Sequence, residues 1–220
     1  NSASAFSSFI GGGCKNQACA SHSTVVGGTF NTASSNCSFI GGGDRNIACA
    51  SYSTVVGGAL NTASACSFIG GGCCNNAAGN GSIGSNVVVG GIRNYIQACN
   101  SFIGGGDTNT INISGLGGYG IIVGGSNNGI DGSSKSYNFI GNGSSNCIDL
   151  NVESSVIGSG ASNKITKGGS NAIITGFQNC VETSAGSGNS SILTGRTNKV
   201  TTTYSVIGSG CNNIITGSNQ

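Results

Sequence analysis

An all-β, parallel β-solenoid (a β-roll or β-helix) is the fold class this sequence predicts, built from about 13 rungs of 14–19 residues. Three observations predict it. One asparagine recurs in every rung, with a glycine always three residues before it and an isoleucine or valine always six before it. Glycine is the commonest residue, with 42 copies, whereas proline, methionine and tryptophan are absent. Only 6% of residues are charged, against roughly 25% in an average globular chain. A chain of 220 residues with 36% apolar content, mostly small or β-branched, is poorly suited to one large round core. It suits stacked layers that each contribute one or two inward side chains.

The anchors, in chain order, are Asn16, Asn31, Asn46, Asn61, Asn75, Asn94, Asn109, Asn128, Asn146, Asn163, Asn179, Asn198 and Asn213. The Ile or Val six before each runs from Ile10 and Val25 to Ile192 and Ile207, and the glycine from Gly13 to Gly210. Two after each anchor stands Ala in the first five rungs (Ala18 to Ala77), then Ile or Val from Ile96 to Ile215. The Ser-x-Ile-x-Gly piece reads as a short strand, since a β-branched residue suits a buried pleat. The Gly-x-x-Asn piece reads as a corner. There glycine permits positive φ, and asparagine tolerates the left-handed region while bonding its own backbone. Rungs stacked ~4.8 Å apart would let the asparagines form an amide ladder. A second short strand follows each anchor. No 3.6-residue period appears, which excludes helix.

Anchor spacing is 14 or 15 residues as far as Asn75, then 15 to 19. The whole of 1–220 therefore reads as a single solenoid domain, regular over 1–77 and looped over 78–220. The extra length falls between the second strand and the next serine, in Ala78–Ser85, Asn112–Tyr119, Asp131–Ser136 and Glu182–Gly188. Insertions confined to one edge fit either a binding surface or loops that simply tolerate insertion.

Outside the invariant core position, size alternates. Phe9, Phe39, Phe68, Phe102 and Phe139 stand seven before their anchors, with smaller residues on the rungs between. Val26, Val56, Val89 and Val123 stand five before theirs, with glycine on the phenylalanine rungs. These positions lie on the opposite strand face from the invariant Ile/Val. Both faces are thus apolar, and the outer one needs a cover. Two architectures provide it. Each rung is one coil whose Phe/Val face packs against sister chains, or two rungs make one wider coil with Phe stacked on Phe.

The pattern apolar-Ile-x-Gly-Gly-x-x-Asn-x-Ala resembles the head repeats of trimeric autotransporter adhesins (YadA-like heads), which read roughly Ser-Val-Ala-Ile-Gly-x-x-Ser-x-Ala. It is also similar to β-solenoid repeats of phage and giant-virus fibres. The resemblance covers about Phe9 to Ile215. It implies a homotrimer of left-handed β-rolls on a cell or virion surface, binding host glycan or matrix. The chain departs from that pattern in its asparagine for serine, denser glycine, commoner cysteine and longer loops.

Eleven cysteines are present. Cys19 and Cys49 both lie three after an anchor, and Cys37 and Cys66 both nine before one. One rung per coil would make Cys19–Cys37 and Cys49–Cys66 the candidate disulfides. Two rungs per coil would make them Cys19–Cys49 and Cys37–Cys66. Either set would suit an oxidising compartment, and the competing reading is cysteine as a small hydrophobe. Cys14, Cys73 and Cys211 share a corner register and read as unpaired.

No catalytic set emerges. Asp149 and Glu153 are the one close carboxylate pair and read as a solvated loop tip. His22 is the sole histidine and lacks zinc-site partners or a nucleophile. Asp44 and Asp107 are too few for a calcium roll. No cofactor is expected. The eight basic residues are dispersed, which argues against nucleic acid. No apolar run approaches the ~20 residues of a spanning helix. Sequons stand at Asn36, Asn80, Asn112, Asn142 and Asn189. The chain starts at Asn1 rather than methionine, as in a mature product or fragment. The function expected is a non-enzymatic, extracellular structural fibre or adhesin shaft, self-associating as a homotrimer. A filament or sheath subunit polymerising end to end is the alternative. An ice-binding array is disfavoured, because Thr24 and Thr54 recur only on alternate rungs.

Overall fold

The computed structural model describes residues 1–79, 84–115, 117–133, 136–184 and 188–217. It is a parallel β-solenoid of about 13 turns, and the described residues contain strands and turns but no helix. Residue contacts divide the chain into two compact units, Asn1–Thr108 and Asn109–Gln220.

One coil of the first unit explains the rest. Phe39–Ile40 is a strand, Gly41 to Arg45 turn the chain, Asn46 marks the corner, and Ile47–Ala48 is the second strand. The chain then turns again and enters Thr54–Val55 of the next coil. Phe39 pairs in parallel with Thr24 on one side and Thr54 on the other, and Ile47 pairs with Thr32 and Thr62. A third row of parallel bridges joins Cys14, Thr29, Asp44, Ala59, Cys73, Ile92 and Asp107 at the corner. The pairing of Phe39 with threonine, not with Phe9 or Phe68, makes each rung one coil. This rules out the wider coil of two rungs.

Alternation along each strand sends the invariant residue inward. Val25, Ile40, Val55, Ile69, Val88 and Ile103 are fully buried, facing Ala18, Ala33, Ala48, Ala63, Ala77 and Ile96. In the second unit the facing column is larger, with Ile111, Ile130, Ile148, Ile165, Val181 and Val200 all buried. The strands there lengthen, to Thr110–Ile113 and Tyr119–Ile122. The added length creates another inward position, Ile113, also fully buried. Glycines make room for it: a Cβ on Gly120 would lie 2.6 Å from Ile111 Cγ2 and 3.2 Å from Ile113 Cδ1.

The corner differs from expectation in one respect. The anchor asparagine is not left-handed. The residue before it is, in every coil: φ is 55° at Lys15 and Phe30, 54° at Arg45 and 57° at Leu60. Glycine does take positive φ three before the anchor, 92° at Gly43. A Cβ there would strike the Gly58 carbonyl oxygen and approach Asn46 Nδ2 to 2.7 Å. The side-chain requirement therefore falls on Gly43, and the anchor is free to point inward.

Candidate functional site: the ladders, the outer face and the corner

The anchor amides from Asn16 to Asn198 are buried and hydrogen-bonded. Asn46 accepts the backbone N–H of Asn61 on Oδ1 at 3.0 Å, and its Nδ2 donates to the Gly42 and Gly58 carbonyls at 2.9 Å each. Its own N–H donates to Asn31 Oδ1 at 2.9 Å. The side chain thus ties its own coil to the next, and the backbone N–H ties it to the one before. Direct amide-to-amide bonds add to this, as from Asn128 Nδ2 to Asn109 Oδ1 at 3.1 Å. Within the second unit the column runs to Asn213, which is exposed. The first unit's column includes a residue sequence reasoning missed. Asn1 Oδ1 accepts the Asn16 N–H at 2.9 Å, and Asn1 Nδ2 donates to Gly13 O at 2.9 Å. The signal was available: Asn1 stands fifteen before Asn16, and Ala3 stands two after it.

A second buried polar column was also missed. It stands eight before every anchor except Asn128, where Gly120 takes the place, and is usually serine: Ser23, Ser38 and Ser53 each close the second corner on a carbonyl three residues back, at 2.6 Å. Three coils use asparagine instead, at Asn86, Asn138 and Asn171, all buried. Each follows an enlarged rung. Asn86 accepts the Ser101 N–H at 2.9 Å while donating to Ala78 and Ala98 carbonyls at 2.7 Å, so its longer side chain ties down a loop that serine could not reach.

The predicted second-layer face is outward and uncovered within the chain. In the first unit Val26 and Val56 are each 48% exposed and Phe39 36%, with Phe9, Phe68 and Val89 also exposed and Phe102 half-buried. Phe39 leans along its strand, its Cε1 3.6 Å from where a Gly41 Cβ would stand. Gly41 must itself be bare, because that Cβ would strike the Val56 carbonyl of the next coil. The alternation follows from one coil per rung: each ring fills the space over its own glycine, and the valines of the flanking coils fill the space between rings. The second unit keeps Val123 exposed and Phe139 half-buried, then continues with Val156, Ile174, Leu193 and Val206.

No disulfide joins any of the eleven cysteines. The candidate bridges are not formed, and Cys19, Cys37, Cys49 and Cys66 are exposed. Register explains it. The Cys19 N–H donates to Ala33 O and the Cys37 N–H to Ser21 O. Cys19 therefore lies beside Ser34, while Cys37 lies beside His22, past the turn. Cys37 and Cys66 occupy left-handed corner positions, with φ of 55° and 54°. Cys19 and Cys49 are two coils apart, roughly 10 Å at the β-spacing.

At the first corner, neighbouring side chains project together rather than alternating. The left-handed residue before the anchor turns its side chain to the side of the one preceding it. Arg45 reaches Asp44 at 2.7 Å, Thr108 donates to Asp107 at 2.9 Å, and Cys73 Sγ lies 3.0 Å from Cys74 Sγ. The hydrogen bond with Cys74 pushes the Cys73 thiol up, aided by burial and opposed by Arg93. Arg93 also reaches Asp107 of the next coil at 3.0 Å, and Phe30 lies between Lys15 (4.9 Å) and Arg45 (5.2 Å).

Asp131 and Asp149 stand on neighbouring paired strands. Asp149 lies on the strand Cys147–Val152 and pairs with Lys164 at 3.4 Å, not on a loop tip. Burial, with the Asp149 charge, raises Asp131 against a hydrogen bond from Asn112. Lys199 and Lys167 hold Glu182 below the usual carboxylate range. His22 meets Phe6 edge-on, ring centres 5.6 Å apart. Among the described residues no group of three or more His, Cys, Asp or Glu side chains is placed to hold a metal. The sequons Asn36, Asn112, Asn142 and Asn189 are exposed. Asn80 lies outside the described residues, as do Leu116, Lys135 and parts of the four variable loops. With its ladders, outer face and corner defined, the chain was compared with known proteins, and it matches no family model and no curated protein.

Proposed function

We propose that this chain is a segment of a structural surface fibre that self-associates as a homotrimer. The Phe/Val face supplies the contact between copies, and the loop-bearing edge meets the host, as glycan or matrix. The observation that carries this reading is the outward apolar row of the first unit, Phe9, Val26, Phe39, Val56, Phe68 and Val89; the second unit has its own exposed Val123, Ile174 and Leu193. A soluble chain rarely leaves so regular an apolar face open unless something covers it. A second copy of the same face suits it, because the alternation of ring and valine offers knobs and gaps of its own kind. Localisation outside the cell or on a virion follows from the same reading, as does the absence of catalytic chemistry.

Sedimentation equilibrium on the purified chain tests it. The expected mass is that of three copies. A monomer at micromolar concentration would sink the proposal. Val26→Ser with Val56→Ser is expected to dissociate the trimer while leaving the β-sheet circular dichroism unchanged. Open filaments in electron micrographs would instead favour the end-to-end polymer.

A further inference from the structure

We infer that Cys73 and Cys74 form one dithiol site, which closes to a disulfide between neighbouring residues by exchange with a small-molecule disulfide. Three observations carry this. The two sulfurs already lie 3.0 Å apart. Their closeness is a property of the corner, since the same two positions bring Arg45 to Asp44 at 2.7 Å and Thr108 to Asp107 at 2.9 Å. The backbone beneath is fixed from both sides. The Cys73 N–H donates to Gly91 O at 3.0 Å, the Cys74 N–H to Ala59 O at 2.9 Å, and Cys73 O accepts from Arg93 N–H at 2.9 Å. Cys74 is exposed and Cys73 half-buried, so a reagent of modest size can reach the pair.

The step balances. A thiolate of the pair attacks one sulfur of the small disulfide, breaking its S–S bond and releasing one thiol. The neighbouring thiolate then attacks the protein-bound sulfur of that mixed disulfide and expels the second thiol. Two protein S–H bonds are lost and one S–S bond gained, while the small disulfide is reduced to two thiols. Adjacent Cα atoms stand about 3.8 Å apart, below the usual disulfide range of about 4.4–6.8 Å. The closed ring is therefore strained and reopens readily under thiol. It is a reversible site and not a staple. It does not depend on the trimer proposed above.

The test is to treat the whole protein with oxidised glutathione, alkylate the remaining thiols and cleave after aromatic residues. The peptide 69–95 contains Cys73 and Cys74 and no other cysteine. It is expected two hydrogen masses light, unalkylated, and restored by mild dithiothreitol. The Cys73→Ser variant is expected to retain one glutathione on Cys74 instead. Recovery of peptide 69–95 with two alkyl groups, with two glutathiones, or linked to another peptide would overturn the inference. Sedimentation of the oxidised protein separates this result from the assembly state, which the inference leaves unchanged.

Discussion

At the residue scale, the coil depends on a few positions with no substitute. Asn46 is one. Replacing it with alanine orphans the buried Asn61 N–H and removes two bonds to glycine carbonyls. An unsatisfied buried donor costs about 1–3 kcal/mol, so Asn46→Ala is expected to lower the urea midpoint clearly. Asn213→Ala, at an exposed position, is expected to leave it nearly unchanged. Gly43 and its neighbour Gly42 make a sharper pair. A Cβ at Gly42 meets nothing within 4 Å, whereas at Gly43 it strikes the next coil. Gly42→Ala is expected to be neutral in thermal melts and Gly43→Ala destabilising by several kcal/mol, as overpacking and a left-handed backbone combine. These positions were legible because each recurs once per coil. The left-handed residue before the anchor was not. Lys15, Phe30, Arg45 and Leu60 share no residue preference, so the strain they carry leaves no compositional trace. The corner was assigned to asparagine by that residue's reputation for turns, and the geometry moves the conformation one position back.

At the scale of the element, each strand has an inner face that sequence periodicity reveals and an outer face that only pairing explains. Phe39 beside Thr24 and Thr54 is what decides between one and two rungs per coil. The sequence alone left both open, because alternation suits either. Asn86, Asn138 and Asn171 were hidden for another reason: they replace serine after lengthened rungs, but Ser190 follows a rung as long as the one before Asn86, so rung length alone does not mark them. The paired strands Gly129–Gly132 and Cys147–Val152 also carry a charge arrangement with a pH signature. Asp131 is raised above its ordinary range by burial and by Asp149. A carboxyl raised in the folded state binds protons there more tightly than in the unfolded chain. Its contribution therefore favours folding below the ordinary Asp range and is lost as pH rises through the folded value. Asp131→Asn is expected to stabilise the protein at neutral pH, by less than about 1 kcal/mol given its partial exposure. The gain should vanish in acid, which denaturation midpoints at neutral and strongly acidic pH would read. Glu182 runs the other way. Held low by Lys199 and Lys167, it supports folding above the ordinary Glu range and loses that support as pH falls through its folded value.

For the molecule as a whole, the repeated apolar row sets how assembly should answer to its solvent. Apolar burial is strengthened by excluded salts such as sulfate, whereas contacts between exposed charges are screened. The proposed trimer is therefore expected to persist or tighten as sulfate is raised. Sedimentation across a salt series would detect dissociation, the outcome a charge-held assembly would give. Which chemistry the loop edge meets was not legible in residues chosen for loop length rather than for a shared motif.

The coil also keeps a strict count. From the position eight before the anchor to the residue two past it, spacing never changes, while chain is added only beyond that residue. Each coil thus has a reading frame and one place where the frame is not read. A single residue deleted between Ile40 and Asn46 would turn a buried position outward and misalign one amide with both its neighbours. A whole peptide inserted after Ser64 would disturb neither column. Variation in such a chain is channelled: its sequence can drift widely at the insertion point while the stacked frame passes intact from one coil to the next.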